Sequence, residues 1–166
     1  MKTVCTFCNS IMHDEQEPDN RVNHGVCELC YTAIMRDYGF NVRKFLNLLD
    51  APVFLVDSEA TVIAANTLAM ESTKKPVSLV NGKLCGDVLG CINAFLPEGC
   101  GKTPHCPDCI VRLSINETYT TGMPVIHRTV AITRNKEGNQ VTEQFLVSTQ
   151  KDGNTVLLRL EPGNKD

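Results

Sequence analysis

Nine cysteines are the residues of this 166-residue chain with the clearest chemical potential. Four of them form two pairs, Cys5 with Cys8 and Cys27 with Cys30, and two residues separate the members of each pair. A turn of this length lets both sulfurs face one ion, and the eighteen residues between the pairs are close to the spacing of tetrahedral four-sulfur sites. The sequence therefore predicts a zinc site, with a rubredoxin-like iron site as the alternative.

The residues around these four cysteines favour a structural role over a catalytic one. The segment between the two pairs is too polar to form a core, so it needs an ion to organise its folding. Four sulfurs would occupy every position of a tetrahedral ion and leave none for water or substrate. We therefore interpret His13 and His24 as bystanders, with the replacement of one cysteine ligand by a histidine as the alternative.

The other five cysteines form a second group: Cys85, Cys91, Cys100, Cys106 and Cys109. Eight, five and two residues separate the last four of them. These uneven intervals differ from those of a compact zinc site and suit ligands at the separated corners of an iron–sulfur cluster. A second tetrahedral zinc ion is one alternative, and a thiol/disulfide switch or buried free thiols is the other. Cys85 lies outside the predicted set of four ligands.

Proline and the helix that follows it affect two of these thiols. Pro107 suits the first position of a helix, which predicts Cys106 at the cap and Cys109 within the first turn. Amide hydrogens and the helix dipole at that end favour thiolate over thiol. Both sulfurs are therefore expected to be ready to bind metal.

Glycines and basic residues surround the middle of the second group. Gly99 and Gly101 free the backbone on either side of Cys100 to adopt unusual angles and to approach a cluster closely. Lys102 and His105 would add positive charge beside an anionic four-thiolate site. We expect these neighbours to shift the redox potential of any guest.

Composition restricts the classes of partner. Sixteen basic and nineteen acidic residues give a net charge of −3, and no basic run is denser than Lys74–Lys75, so we expect neither nucleic acid nor membrane as a partner.

No apolar leader follows Lys2 and no apolar run is long enough to cross a bilayer, which predicts a cytoplasmic protein. In that reducing compartment, clustered cysteines are expected to hold metal or respond to redox rather than form disulfides.

Apolar residues at helical spacing predict a connecting helix over residues 31–50. Gly39 is expected to break it in two, Asn41 to cap the second part and Pro52 to mark its end. This helix either packs on its own domain or also pairs with a second copy of the chain.

The remainder of the chain predicts an antiparallel sheet with interposed helices. Val53–Asp57 and Thr61–Ala65 form a hairpin, Asn66 caps a short helix, and a longer helix follows the cysteines until Gly122 stops it. Three alternating segments then predict a meander over residues 124–135, 140–150 and 154–162. The fold class is therefore α+β, with a five-stranded antiparallel sheet, flanking helices and a small N-terminal zinc knuckle.

The N-terminal pattern resembles a known module. The order Cys5-x2-Cys8, then Asn23-His24-Gly25-Val26-Cys27-x2-Cys30-Tyr31, is similar to a short zinc module of bacterial signalling proteins, although Ser is usual at the position of Asn23. In those proteins the module usually accompanies sensor or receiver domains. The resemblance implies a role in signalling.

Residues 44–162 resemble a PAS domain in their order of elements and in the opening sequence LLDAPVFLVDSEATVIAAN. Within them, a pattern is similar to a cysteine-rich PAS subgroup of bacterial sensors: Asp87, Cys91, Asn93-Ala94, Gly99-Cys100-Gly101, Cys106, Cys109 and Arg112. The resemblance implies a sensor with a pocket between sheet and helices. It also implies a homodimer formed through the helix before the first strand.

Together these observations predict a zinc-binding knuckle (1–30), a connecting helix (31–50), a PAS domain with a cysteine-rich metal site (51–162) and a tail (163–166). The expected function is that of a cytoplasmic bacterial sensor or adaptor, not an enzyme, which detects redox state or a gas through the second centre and signals to a protein partner. Two alternatives are a zinc-stabilised interaction module and a thiol oxidoreductase using Cys106-Pro-Asp-Cys109. The latter lacks the usual βαβ pattern.

Overall fold

A computed structural model describes residues 2–6, 8–14, 22–25, 27–37 and 42–163. The chain divides into two compact units, Met1–Phe45 and Leu46–Asp166. Within the described ranges, none of the helices has the length and apolar character needed to traverse a membrane.

The first unit contains a small mixed sheet. Its strands are β1 (Lys2–Cys5), β2 (Ile11–Asp14) and β3 (Val22–Gly25), in the order β2-β1-β3, and helix α1 (Glu28–Asp37) follows them. β1 pairs antiparallel with β2 and parallel with β3. The sequence did not predict these strands, because their residues are largely polar and do not form an alternating apolar pattern.

A second short helix, α2 (Val42–Leu46), includes the boundary between the two units. The sequence predicted a connecting helix over residues 31–50 that is broken into two parts, and the structure has two helices, of which α1 begins earlier, at Glu28, and α2 ends earlier, at Leu46. The predicted break at Gly39 and the predicted cap at Asn41 lie outside the described residues.

The second unit is built on a five-stranded sheet. Its strands are β4 (Val53–Val56), β5 (Val62–Ala65), β6 (Val125–Lys136), β7 (Asn139–Asp152) and β8 (Thr155–Pro162). Their order is β5-β4-β8-β7-β6, and every neighbouring pair is antiparallel. The predicted hairpin, meander and fold class are therefore confirmed.

Helices α3 (Thr67–Thr73), α4 (Cys85–Leu89) and α5 (Ile110–Thr121) lie between the hairpin and the meander, with 3₁₀ helices at Val77–Leu79 and Ile92–Phe95. α5 packs on β6, β7 and β8. It ends as predicted at Gly122, whose φ of 75° is a left-handed conformation that costs glycine least.

Asn66 joins the start of the sheet to helix α3. Its side chain is fully buried, and Oδ1 accepts hydrogen bonds from the amides of Val53 (3.0 Å) and Ala69 (2.9 Å). Its Nδ2 donates to the carbonyls of Ala51 (2.7 Å) and Leu46 (3.1 Å). Asn66 is thus the predicted helix cap and also holds the segment that enters β4.

The start of α5 corrects one prediction. The expected cap was Cys106, with Pro107 as the first helical residue, but the helix begins at Ile110 and Cys109 is its cap. Two tight turns precede it, closed by hydrogen bonds from Cys106 N to Thr103 O (3.0 Å) and from Cys109 N to Cys106 O (3.1 Å). These four-residue turns occupy the backbone that a longer helix would need.

Candidate metal centres

The first candidate centre consists of Cys5, Cys8, Cys27 and Cys30, whose sulfurs all lie within 4.8 Å of one another. The Sγ atoms of Cys8 and Cys27 are 3.7 Å apart. A tetrahedral ion with Zn–S bonds of about 2.3 Å requires sulfurs about 3.8 Å apart. The donor set and its spacing therefore fit zinc, and the group of ligand atoms includes neither His13 nor His24.

A tight turn after β1 supplies the first two sulfurs. Cys5 is fully buried at the end of the strand, and its amide donates to the carbonyl of Ser10 (2.8 Å). Asn9 has a φ of 59°, and its amide donates to the carbonyl of Cys5 (2.9 Å). The turn brings Cys8 back toward Cys5, as expected for two ligands separated by two residues.

The start of α1 supplies the other two sulfurs. Cys27 immediately precedes the helix, and Cys30 lies in its first turn. The amide of Cys30 donates to the sulfur of Cys27 (3.4 Å), which therefore acts as the acceptor that a helix N-terminus requires.

Hydrogen bonds among the sulfurs and with Ser10 shift the pKa values of two thiols in the first centre in opposite directions. Hydrogen bonding to Cys8 and then to Cys27 raises the pKa of the Cys30 thiol to about 12. Hydrogen bonding with Ser10 instead lowers the pKa of Cys8. An ion that binds the four sulfurs as thiolates must displace the proton of Cys30.

The second candidate centre is a cavity of about 590 Å³ in the second unit. Its lining includes all five later cysteines, namely Cys85, Cys91, Cys100, Cys106 and Cys109. Part of β6, from Thr129 to Thr133, belongs to the same lining. The volume is within the range of about 300–1,000 Å³ that is typical of sites for small ligands and cofactors.

The later cysteines share this cavity without forming a group as tight as the first. Among the described residues, only the first four cysteines form a group whose ligand atoms are close enough to hold a metal ion, and the later cysteines do not. The predicted set of Cys91, Cys100, Cys106 and Cys109 is thus brought to one cavity, and Cys85, which was left outside the set, joins it.

Cys106 has the most extensive set of hydrogen bonds among these thiols. Its sulfur accepts from the amide of Gly101 (3.1 Å) and lies 3.1 Å from the hydroxyl oxygen of Thr103. Burial raises the pKa of Cys106, but these hydrogen bonds and the charge of Arg112 outweigh it, so the pKa lies below its usual value. The surroundings of Cys106 therefore favour a thiolate.

Cys100 is packed between a glycine and an arginine. A Cβ added at Gly86 would lie only 2.6 Å from the Cys100 sulfur, so a larger residue at this position would displace it. On the other side, Nη2 of Arg112 is 4.0 Å from the same sulfur. The guanidinium also lies against Gly101, whose φ is +86° and where a Cβ would come within 2.8 Å of Arg112 Cζ.

Cys85 and Cys91 complete the wall of the cavity. Cys85 is 5% exposed, and burial, followed by the neighbouring Cys100, raises its pKa, so it is a protonated thiol in the metal-free protein. Cys91 forms an isolated antiparallel bridge with Arg134 of β6, which fixes the cysteine-bearing segment to the sheet.

The basic residues around the cavity differ in part from the prediction. His105 lines the cavity, whereas Lys102 is not among its lining residues in the described chain. The basic residue that contacts a sulfur of this cavity is Arg112, whose Nη2 lies 4.0 Å from Cys100 Sγ. In the sequence, the only sign of a role for Arg112 was its spacing from Cys109. Nothing in the sequence indicated the contact between Gly86 and Cys100, because these residues belong to different segments of the chain.

Known structures share this architecture. A LOV protein from Rhodobacter sphaeroides aligns with 75% of this chain and 66% of its own, just under two-thirds, with 15% identity and a TM-score of 0.50. The second unit has a PAS-like fold. At this identity the match shows the fold alone.

Two PAS domains also align. The PAS domain of BvgS from Bordetella pertussis aligns over 75% of this chain and 85% of the BvgS chain, with 10% identity and a TM-score of 0.47. The PAS domain of the quorum-sensing receptor RpfR from Cronobacter turicensis, in complex with BDSF, aligns over 70% of this chain and 96% of the RpfR chain, with 13% identity and a TM-score of 0.48. No protein-family model and no curated protein sequence matches the chain.

Proposed function

We propose that this chain is a cytoplasmic bacterial sensor or signalling adaptor whose PAS-like unit detects redox state, or a gas such as oxygen or nitric oxide, through a cysteine-ligated metal centre. The observation that carries the proposal is the cavity of about 590 Å³ lined by all five later cysteines. Five thiols that line one cavity supply more ligands than a four-cysteine inorganic guest needs.

An iron–sulfur cluster is the guest that this cavity favours over a single zinc ion. The cavity is much larger than one tetrahedral ion with Zn–S bonds of about 2.3 Å. The amide of Gly101 donates to the sulfur of Cys106 (3.1 Å), a type of contact that tunes iron–sulfur clusters. The predicted ligands Cys91, Cys100, Cys106 and Cys109 would bind the iron atoms. Cys85 would remain a thiol that does not bind iron.

The first centre has a different role in this proposal. Zinc at Cys5, Cys8, Cys27 and Cys30 would stabilise the N-terminal unit, because four sulfurs leave no open coordination position for chemistry. The ion would connect β1 to the start of α1, two elements that have little apolar surface to bury.

Helix α5 offers a route from the cavity to a partner. Its cap is Cys109, and near its other end Thr118 Oγ1 lies 2.6 Å from Thr149 Oγ1 of β7, with both threonines buried. A change in the guest, by oxidation, gas binding or metal loss, would alter how α5 packs on the sheet. A protein partner, or a second copy of the chain in a homodimer, would respond to that change.

Reciprocal substitutions test this division of roles. In protein purified without oxygen, Cys100→Ser with Cys109→Ser should remove iron and acid-labile sulfide and leave zinc. The matched control, Cys27→Ser with Cys30→Ser, should remove zinc and leave iron. If the first double variant keeps the metal content and partner binding of the wild type, the sensor proposal is wrong.

The two alternatives give different results in the same preparation. A zinc-stabilised interaction module would be colourless, with about two equivalents of zinc filling two four-sulfur sites. A thiol oxidoreductase acting through Cys106 and Cys109 would reduce insulin disulfides with a dithiol reductant. A brown protein without that activity supports the sensor.

A further inference from the structure

Arg112 occupies a distinctive place beside the later cysteines. It lies in the first turn of α5, is partly buried and lines the cavity. Its Nη2 is 4.0 Å from the sulfur of Cys100, and its guanidinium lies against the backbone of Gly101. Gly101 leaves the space for this contact, because a Cβ there would collide with the guanidinium.

The charge of Arg112 lies near a second thiol of the cavity. The guanidinium lies against Gly101, and the amide of Gly101 donates to the sulfur of Cys106 (3.1 Å). A guanidinium stays protonated at every physiological pH, so this charge is permanent. In a partly buried cavity it is screened less than a surface charge would be.

We propose that Arg112 is the counter-charge of the cysteine cavity: it lies beside the sulfur ligands without binding the metal and raises the reduction potential of the guest. The inference rests on the proposed function, since it needs a redox-active guest. It assigns to one residue the tuning that the sequence had attributed to Lys102 and His105.

The expected effect follows from charge alone. One-electron reduction by dithionite adds one negative charge to the cluster and its thiolates. The positive guanidinium stabilises the reduced state more than the oxidised state, so it raises the midpoint potential. Arg112→Gln should therefore lower that potential, and Arg112→Lys, which keeps the charge, should retain most of the wild-type value.

Arg128 provides a matched control. It also contacts α5, with Nη1 3.2 Å from Ser114 Oγ and Nη2 2.8 Å from Glu117 Oε2, and it does not line the cavity. Arg128→Gln removes the same charge from the neighbourhood of the same helix. Its potential should equal that of the wild type.

The experiment is an anaerobic redox titration of the full chain, reconstituted with ferrous iron and sulfide where needed, and followed by visible absorption. A lower potential in Arg112→Gln alone supports the inference. So does loss of the cluster in Arg112→Gln when Arg112→Lys retains it, because the charge is then required for binding.

Three results would overturn the inference: an unchanged potential in Arg112→Gln, an equal shift in Arg128→Gln, or loss of the cluster from both Arg112 variants, which would indicate packing against Gly101 rather than charge. A wild-type protein that takes up no iron and sulfide is a different result. It refutes the proposed function itself, before any variant is compared.

Discussion

Replacing Gly86 with alanine separates the role of the cavity from the stability of the fold. The new methyl carbon would lie 2.6 Å from Cys100 Sγ and 3.1 Å from Cys100 Cβ. Nonbonded carbon contacts are comfortable at about 3.5 Å or more, so the sulfur must retreat by about 1 Å. Gly86→Ala should therefore prevent Cys100 from serving as a ligand where it now lies.

Gly86→Ala should change the stability of the fold much less than it changes metal binding. Alanine in a helix is favoured over glycine by up to about 1 kcal/mol, which offsets part of an overpacking cost of about 1–3 kcal/mol. In the metal-free protein Cys100 can also rotate about χ1 to relieve the contact. We therefore expect the metal-free variant to lose no more than about 2 kcal/mol of unfolding free energy, the difference between these two terms.

Gly90→Ala, at the end of the same helix, is the control. Gly90 has a φ of +71° and no atom within 4 Å of an added Cβ, so alanine there costs about 1–2 kcal/mol of backbone strain without touching Cys100. Iron and sulfide analysis should show loss in Gly86→Ala and wild-type content in Gly90→Ala, with zinc unchanged in both. Denaturant unfolding of the metal-free proteins measures the stability.

The reasoning about Cys100 is refuted if Gly86→Ala binds as much iron and sulfide as the wild type. It is equally refuted if the variant is simply more stable than the wild type, since that is how an unobstructed helical glycine responds to alanine.

Two further predictions concern the fold and the first centre. Asn66→Ala should lower the free energy of unfolding by about 3 kcal/mol or more, because two buried amides lose their acceptor, and denaturant unfolding checks this value; a loss below about 1 kcal/mol would contradict it. Zinc affinity should fall on acidification by about tenfold per pH unit for each proton that the ion displaces. One of these protons is that of Cys30, whose pKa is about 12. Competition with a chromophoric chelator at pH 8 and pH 6 measures the zinc affinity, and equal affinities at the two pH values would contradict the thiolate assignment.

The sequence predicted the second unit well because its signals are local. Alternation along β8 places Val156, Leu158 and Leu160 on the buried face, and the capping bond of Asn66 is made with Ala69, three residues later. The five-stranded sheet, the cap and the glycine that ends α5 could therefore be predicted without coordinates.

The contacts that shape the cavity could not be predicted, because they join residues distant in the chain. Gly86 meets Cys100 fourteen positions later, and Arg112 lies against Gly101 from the next helix. The start of α5 was also misplaced, because the turns around Cys106 depend on sulfur contacts that helix propensity does not include. The strands of the N-terminal unit were missed for a related reason, since their pairing brings together segments without apolar alternation.

The most direct test of the central claim is elemental analysis of the wild-type protein purified without oxygen, together with acid-labile sulfide and a count of reactive thiols. The proposal predicts about one equivalent of zinc, with iron and sulfide in addition, and later cysteines protected from alkylation until the cluster is removed. Zinc alone at about one equivalent, with the later thiols reacting freely apart from buried Cys85, would contradict it.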